Sequence, residues 1–414
     1  MDLRPDLLDE TSPRDIEVIQ LTTDPELTGS HLYMEAQIFA PDSRHFLLHQ
    51  GGAAHGGDRR NPAHQWFRCD IEDNCSLHQL TSEVGAWAPS LSPDGKAVFY
   101  FVDESDLGEG SITLKRVNLD GTDRQTIMVL DGNLPGTAFR PSRLYPLSTI
   151  SPDGRRLAIS CFLADGKTMD PTWGLLVFDL ARATVQLVIH GPSWCNMHPQ
   201  YTRSRDLADA HEIMIQENHG NTSDRHGQVE RLTGGAGADI HMIRDDGTDF
   251  RTMPWGRDGI EFCQGHQCWR GQTNWAITST STRFETGSEA QLIEAQAMAG
   301  EGHLGRLTPG AVRNDMTRDF PNPHFHHFAT DSQGKRLVSD AKPFQEGGRV
   351  FIAALGEPGT GPLTNFTCLL NARSSCTKDS HIHPFLSPDG TMAFYNSDES
   401  GILQAYMIRG LGAV

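Results

Sequence analysis

Three segments of the chain repeat one pattern, in which a Ser-Pro-Asp-Gly turn separates two apolar runs: PSLSPDGKAVFYFVD (89–103), STISPDGRRLAISCF (148–162) and HPFLSPDGTMAFYNSD (383–398). Proline presets the backbone of a tight turn, and glycine tolerates the left-handed conformation that ends it. Apolar and polar residues alternate on both sides of the turn, which is the period of a β-strand. Each segment therefore predicts a β-hairpin.

Weaker copies of the hairpin bring the number of units to seven. They are AQIFAPDSRHFLLHQ (36–50), HPQYTRSRDLADAHEIMIQEN (198–218), FCQGHQCWRGQTNWAITST (262–280) and HFATDSQGKRLVSDA (327–341). Second strand pairs lie between them, as in LKRVNLDGTDRQTIM (114–128), so each unit predicts a four-stranded blade. We expect an all-β protein that forms a single seven-bladed β-propeller domain over residues 1–414. The terminal segments 16–24 and 403–410 would complete one blade.

Composition restricts the class of protein. The 414 residues carry a formal net charge of −18, which argues against a general basic surface for nucleic acid or an anionic membrane. Residues 1–18 are polar and acidic, and no later apolar run reaches the roughly 18 residues that span a bilayer. Eight cysteines occur without a Cys-x-x-Cys pair, which is typical of reduced structural thiols. We expect a soluble, cytoplasmic protein with no obligate protein partner.

Histidines stand where the innermost strand of several units begins. The chain has 19 histidines, and those in this position are His198, His266, His324, His326, His327, His381 and His383. Inner strands of a propeller converge on one axis, so these sequence-distant side chains are expected to be neighbours. His381 and His383 are two residues apart in an extended segment and face one side, as in a pair that chelates a divalent metal. The alternative is a surface strand with two solvated histidines.

Other catalytic patterns are scarce. The Gly-x-Ser-x-Gly elbow of α/β-hydrolases and the His-Glu-x-x-His zinc motif are both absent. Gly-rich tracts at 51–57 and 233–239 lack the strand-to-helix context of a phosphate-binding loop, and we interpret them as loops. Paired carboxylates for glycoside hydrolysis remain an alternative, because their separation cannot be read from a sequence.

The C-terminal run HIHPFLSPDGTMAFYNSDESGILQAYMI (381–408) resembles the signature of bacterial oligogalacturonate lyases, polysaccharide lyase family 22. Shorter similar segments follow the family's order: SHLYMEAQIFAPD (30–42), HPQY (198–201), HQCW (266–269) and HFATDSQG (327–334). The resemblance implies a cytoplasmic seven-bladed propeller that cleaves short oligogalacturonides by manganese-dependent β-elimination. It also implies that His327, His381 and His383 bind the metal and that His266 is the base.

The chain departs from the family at two positions. Lys378 stands three residues before His381, where the family has a metal-binding glutamine. Asp239 aligns with a family arginine that assists catalysis, and Arg231 or Arg244 is a candidate substitute. The departures indicate a divergent member, in which the fourth metal ligand and the exact uronide stay open.

We therefore predict a β-eliminative lyase with a divalent metal cofactor, Mn²⁺ by resemblance, and a small anionic oligouronide as its partner. Elimination requires neutralisation of the C6 carboxylate, a base at C5–H and departure of the C4 oxygen. Arg203 and His219 are expected to assist catalysis, and His198, Lys378 and His31 to bind substrate. The alternatives are a non-catalytic scaffold that is similar to TolB and binds a protein partner, and a propeller glycosidase.

Overall fold

The computed structural model describes residues 1–165, 167, 171–234, 237–256, 261–281, 291–297, 313–317, 325–341 and 347–412. Regular structure within these ranges is β-strand, with short 3₁₀ turns at Pro5–Leu7, Pro192–Trp194, Leu207–Asp209 and Lys378–Ser380 and no α-helix. The expected all-β class is confirmed. Among the described residues no helix has the length and apolar character that a membrane crossing needs.

Thirty-one strands are seen in the described ranges. In chain order they are β1 (Asp2–Leu3), β2 (Glu17–Gln20), β3 (Gly29–Ser30), β4 (His45–Gln50), β5 (Gln65–Asp70), β6 (Ser76–Gln79), β7 (Ala86–Leu91), β8 (Ala97–Asp103), β9 (Ile112–Asn118), β10 (Gln125–Leu130), β11 (Arg143–Ile150), β12 (Arg156–Phe162), β13 (Trp173–Asp179), β14 (Thr184–Gly191), β15 (Gln200–Tyr201), β16 (Glu212–Asn218), β17 (Thr222–Ser223), β18 (Val229–Arg231), β19 (Ala238–Arg244), β20 (Arg251–Thr252), β21 (Phe262–Trp269), β22 (Trp275–Ser281), β23 (Gln291–Gln296), β24 (Arg313–Asp315), β25 (Phe325–Thr330), β26 (Arg336–Ala341), β27 (Arg349–Ala354), β28 (Thr364–Asn371), β29 (Phe385–Leu386), β30 (Ala393–Ser397) and β31 (Gln404–Arg409).

Most sheets are antiparallel meanders that follow chain order. Strands β3–β6, β7–β10, β11–β14 and β25–β28 each form a four-stranded sheet, and β17 pairs with β18 in a separate ribbon. Strands β15, β16, β19 and β20 form a further group, which a single pair, Ala238 with Cys263, joins to β21–β24. First strands of successive sheets contact one another: β7 with β11, β11 with β15, and β21 with β25. Strand β25 likewise contacts β29, the edge strand of the sheet that contains both termini. We call these six strands the innermost strands, because they lie where successive sheets meet.

The two ends of the chain share one sheet with β29 and β30. Strand β2 pairs antiparallel with β31, with Val18 opposite Ile408, and β1 adds to the free edge of β2. Arg4 Nη1 lies 2.5 Å from Glu399 Oε1, and the Tyr406 hydroxyl donates to the same oxygen at 2.6 Å. Strand pairing and this ion pair thus hold the N-terminal segment against the C-terminal one.

The Ser-Pro-Asp-Gly turns are closed by repeated hydrogen bonds. In the first of them Ser92 Oγ donates to Asp94 Oδ1 at 2.7 Å, and the Gly95 amide donates to the Ser92 carbonyl at 2.8 Å. Gly95 has a φ of +71°, and a Cβ there would lie 2.8 Å from Pro41 Cδ of the preceding sheet. The turns that begin at Ser151 and Ser387 have the same bonds. Glycine is therefore required by both the backbone and the neighbouring sheet.

Two buried histidines make the fold sensitive to acid. The rings of His49 and His64 lie 5.0 Å apart, and their nitrogens have no hydrogen-bond partner among the described residues. Burial lowers the pKa of His64 to about 4, whereas a histidine in the unfolded chain titrates near 6.5. Below pH 6.5 the unfolded state therefore binds more protons than the folded state. His64 alone should lower the free energy of unfolding by about 3 kcal/mol as the pH falls toward 4.

We expect the variant His64→Leu to lose stability less steeply than the wild type between pH 6.5 and 4. Urea unfolding at a series of pH values measures this slope. The exposed His78 on β6 offers the matched control, since His78→Leu should retain the wild-type slope. Identical slopes for His64→Leu and the wild type would contradict the assignment of acid sensitivity to this residue.

Candidate functional site

Bulges in the innermost strands place tyrosine and histidine side chains at equivalent positions. The pairing of β7 with β8, β11 with β12, β21 with β22 and β25 with β26 is interrupted by a shift of register. The interrupted stretches contain Tyr145, His266, His326 and His327. A bulge bends its strand and re-aims the side chain at that point. Repetition of the bulge from sheet to sheet therefore gathers these residues near one another.

His198 and His383 precede strands β15 and β29 at the corresponding place. Each stands before a proline, and their φ angles are +49° and +44°. The left-handed conformation costs a residue other than glycine about 1–2 kcal/mol, so the surrounding structure has to impose it. Strained conformations of this kind concentrate at functional sites.

Six histidines converge in a group that we call the histidine cluster: His55, His266, His326, His327, His381 and His383. The ligand nitrogens of His55, His381 and His383 all lie within 4.8 Å of one another, and so do those of His266, His326 and His327. The ring of His327 joins the two halves, with centroids 5.0 Å from His381 and 4.5 Å from His383. The four residues that the sequence singled out as metal ligands and base thus lie together.

The rings of His327, His381 and His383 are spaced as around one ion, although the ligand nitrogens of His327 group with those of His266 and His326. Their three ring centroids are separated by 4.5, 5.0 and 5.4 Å. Three imidazoles that each place a nitrogen about 2 Å from an ion, at angles of about 90 to 110°, have centroids roughly 4.5 to 5.3 Å apart. Both nitrogens of His383 are buried without a hydrogen-bond partner among the described residues. Because buried polar atoms are costly unless they are satisfied, a metal ligand role fits this residue.

The Asp340 carboxylate forms two hydrogen bonds with His327. One carboxylate oxygen accepts a hydrogen bond from the His327 backbone amide at 2.6 Å, and the other lies 2.8 Å from His327 Nδ1. The Asp340 residue is only 1% exposed. A carboxylate that accepts a hydrogen bond from the Nδ1–H group leaves Nε2 free to coordinate a metal. This is the usual arrangement of a metal-binding histidine.

His55 is a member of the cluster that sequence reasoning missed. Its Nε2 lies 3.0 Å from His381 Nδ1, and its ring centroid lies 4.5 Å from that of His383. His55 belongs to the Gly-rich tract 51–57, where the Ala54 amide donates to the Asp379 carbonyl at 3.0 Å. This bond ties the tract to the turn that precedes His381. A histidine inside a glycine-rich tract was the only signal in the sequence, because the contact spans 326 positions.

Burial keeps much of the cluster neutral. It lowers the pKa of His381 to about 4 and that of His55 to about 2, and it holds the pKa values of His327 and His383 well below their ordinary range. Neighbouring imidazoles and the Lys378 ammonium add to the effect. Metals bind the neutral imidazole. At neutral pH these four side chains therefore present lone pairs.

His31 and Lys378 differ in their exposure to solvent. His31 is buried, with its ring 4.4 Å from that of Phe385 and its Nδ1 2.8 Å from the Leu32 carbonyl, and burial lowers its pKa to about 3. Lys378 is exposed in the 3₁₀ turn before His381. Lys378 is therefore accessible to an anionic ligand, whereas His31 is buried.

Arg203 and His219 have hydrogen-bond partners outside the cluster. Arg203 donates to the Glu35 backbone carbonyl at 2.9 Å and lines a cavity of about 580 Å³ together with Glu35 and Trp269. His219 Nε2 lies 2.7 Å from Asp239 Oδ2, a hydrogen bond that raises the pKa of His219. No hydrogen bond among the described residues joins Arg203 or His219 to the histidine cluster.

Solved structures share this architecture along nearly the whole chain. An oligogalacturonate lyase in complex with manganese is 17% identical, with 95% of this chain and 93% of that chain covered and a TM-score of 0.65. The oligogalacturonate lyase from Vibrio parahaemolyticus is 16% identical, with 96% and 95% covered and a TM-score of 0.67. The chain has the fold of the oligogalacturonate lyases. The low identity makes it a divergent example of that fold.

A more distant structure is the β-propeller domain of the Trilobed protease from Pyrococcus furiosus, 13% identical over 79% of this chain and 82% of that chain, with a TM-score of 0.46. No family model and no curated protein matches the sequence. The resemblance to oligogalacturonate lyases is thus confirmed for the fold, and with it the β-propeller class.

The structure shows the contacts of the residues at the two departures from the oligogalacturonate lyase pattern. The candidate substitutes for the family arginine are engaged elsewhere: Arg231 Nε donates to the Gly220 carbonyl at 3.0 Å, and Arg244 Nη1 lies 3.2 Å from Glu212 Oε1. Lys378 presents an ammonium where the lyases have a glutamine, and His55 stands beside it. His324, which the sequence grouped with the other histidines, lies outside the described residues.

Proposed function

We propose that this protein is a metal-dependent lyase that cleaves short oligouronides by β-elimination, with a digalacturonate-type substrate. The observation that carries the proposal is the histidine cluster, six imidazoles brought together in an oligogalacturonate lyase fold. We further propose that the sheets form one closed, seven-bladed propeller domain. Contacts between successive first strands and the sheet shared by the two termini support this.

His327, His381 and His383 are the proposed ligands of a divalent cation, with Mn²⁺ the first candidate. Their ring spacing and the unsatisfied nitrogens of His383 support this assignment. Charged Lys378 has no lone pair to donate, so we assign the fourth position to His55. A cation bound there would neutralise the substrate carboxylate and acidify the adjacent C5–H.

His266 is the proposed base that removes the C5 proton. Its ring centroid lies 4.6 Å from that of His327, so a sugar whose carboxylate meets the ligands lies beside this imidazole. Thr278 Oγ1 donates to the His266 carbonyl at 3.0 Å and fixes the strand locally. Imidazole is the side chain that most often serves as a general base.

The charge distribution favours a small anion at one place on an acidic protein. A net charge of −18 repels anions in general, whereas the exposed Lys378 ammonium stands in the turn that leads to the proposed ligands. A local cationic site of this kind concentrates an anionic substrate despite the overall field. We propose that Lys378 meets a substrate carboxylate.

Loss of His55 should weaken the metal site specifically. We expect His55→Ala to lower the affinity for Mn²⁺ at least about tenfold in a calorimetric titration, because one ligand is lost. Lys378→Ala is the matched control beside it, and its affinity should equal or exceed that of the wild type because a repelling charge is removed. Equal affinities of His55→Ala and the wild type would place His55 outside the ligand set.

Product analysis with a panel of oligouronides, including digalacturonate, tests the proposed function. With Mn²⁺ supplied, we expect an alkene conjugated to the carboxylate, seen by its ultraviolet absorbance, or a 5-keto-4-deoxyuronate. Chelation should abolish product formation, and added metal should restore it. Absence of product across the panel would contradict the lyase and leave the TolB-like scaffold, whereas saturated hydrolysis products would indicate a glycosidase.

A further inference from the structure

A line of hydrogen bonds lies beside the histidine cluster and ends on a buried carboxylate. Tyr145 Oη lies 2.9 Å from His198 Nε2, and His198 Nδ1 lies 2.5 Å from Glu35 Oε1. The Gln200 side-chain amide donates to the second Glu35 oxygen at 2.9 Å. We call Tyr145, His198 and Glu35 the relay. Its members come from three places far apart in the chain, so only the folded protein assembles them.

The relay leads from the interior toward solvent. The side chains of Glu35 and His198 are 2% and 5% exposed, whereas Tyr145 is partly exposed. The Tyr145 hydroxyl donates a hydrogen bond to Asn196 Oδ1 at 2.8 Å. Tyr145 is therefore the most exposed residue of the relay, and its hydroxyl carries a proton. The strained backbone of His198, with its φ of +49°, holds the imidazole between the other two.

One aromatic ring connects the relay to the proposed metal ligands. The centroid of Tyr33 lies 4.8 Å from His198, 4.6 Å from His383 and 5.7 Å from His327. Tyr33 also lies 6.5 Å from His266, the proposed base. The relay and the base thus flank the same ring, close enough for one oligosaccharide to reach both.

We propose that Tyr145 is the general acid that protonates the departing C4 oxygen, and that His198 and Glu35 are positioning residues that resupply its proton. The proposal rests on the lyase function, in which His266 receives the C5 proton and the departing oxygen needs a separate donor. Burial raises the pKa of Tyr145, which suits a hydroxyl that releases its proton only when a strong base such as an alkoxide develops.

The proton and electron transfers balance. The C5–H bond breaks, its proton goes to His266, and its electron pair forms the C4–C5 double bond. The C4–O bond breaks, the oxygen keeps the bonding pair, and it takes the Tyr145 proton. His198 Nε2 returns a proton to Tyr145, and the proton on His266 reaches the relay through solvent between turnovers. The products are an unsaturated uronate and a shorter sugar, and no co-reactant is consumed.

The test compares two leaving groups in the full, Mn²⁺-loaded chain. Digalacturonate releases a sugar hydroxyl, which needs a proton, whereas a uronate with a nitrophenoxy group at C4 releases a stable phenolate. We expect Tyr145→Phe to lower kcat by about 10²- to 10⁴-fold on digalacturonate and by less than about tenfold on the aryl substrate. His198→Gln and Glu35→Gln should show the same selectivity with smaller losses. Equal losses on both substrates would indicate a structural role and overturn the proposal.

A matched tyrosine serves as the control. The Tyr100 hydroxyl lies 3.1 Å from Glu83 Oε1 and 2.6 Å from Arg124 Nη1 on another sheet, so Tyr100→Phe should leave the ratio of the two rates unchanged. If Tyr145→Phe does not fold, as judged by Mn²⁺ affinity and melting temperature, His198→Gln carries the same comparison. A wild type that converts neither substrate overturns the lyase itself. A wild type that converts both, with no selective loss in the variants, overturns only the relay.

Discussion

Replacing His383 by asparagine is expected to abolish Mn²⁺ binding and to lower turnover of digalacturonate at least about 10³-fold. His383 is fully buried and neutral, and its ring contacts those of His55, His327 and Tyr33 at 4.5, 4.5 and 4.6 Å. Asparagine tolerates the left-handed backbone that His383 adopts, so the variant removes the imidazole and keeps the conformation. The loss of activity therefore reports on the ligand.

Metal content after dialysis, together with initial rates, measures this effect. The matched control is His49→Asn, which also removes a buried histidine without a hydrogen-bond partner, but one that packs against His64 and Trp66. His49→Asn is expected to lose stability and keep a full complement of metal. Stoichiometric Mn²⁺ in His383→Asn would contradict the proposed metal centre.

Replacing His266 by glutamine is expected to lower kcat by about 10²- to 10⁴-fold while Mn²⁺ affinity stays within about threefold of the wild type. The physical reason is that the C5 proton loses its acceptor while the proposed ligands stay in place. Added imidazole should restore part of the rate, and exchange of C5–H with deuterated solvent should stop.

The same variant distinguishes a base from a ligand. His266 also groups with His326 and His327 within ligand distance of one another, which is the alternative placement of a metal in this cluster. Loss of Mn²⁺ from His266→Gln would therefore make His266 a ligand and refute its role as the base. Full activity in a folded, metal-loaded variant would refute the role as well.

Local patterns made much of the architecture predictable. The Ser-Pro-Asp-Gly turns require glycine at positions such as Gly95, and alternating apolar residues set the faces of the flanking strands. Repetition of that hairpin implied a propeller, and a propeller implies that equivalent positions in successive units become neighbours. His266, His327, His381 and His383 were found in this way, because each lies in or just before an innermost strand.

Contacts of the site that depend on irregular backbone could not be predicted from the sequence. His55 reaches the cluster only because the Ala54 amide bonds to the Asp379 carbonyl, a contact with no sequence signature. Glu35 pairs with His198 across 163 positions, and a buried carboxylate cannot be told from an exposed one by its neighbours in sequence. Arg203 follows β15 closely and donates to the Glu35 carbonyl, another contact between residues far apart in the chain.

The most direct test of the account is the mass of the products that the purified, Mn²⁺-loaded protein forms from digalacturonate. Elimination divides the dimer without adding water, so the masses of the two products should sum to that of the substrate, and one product should contain the alkene or its keto tautomer. Products whose summed mass exceeds the substrate by one water molecule, or an unchanged substrate, would contradict a β-eliminative lyase.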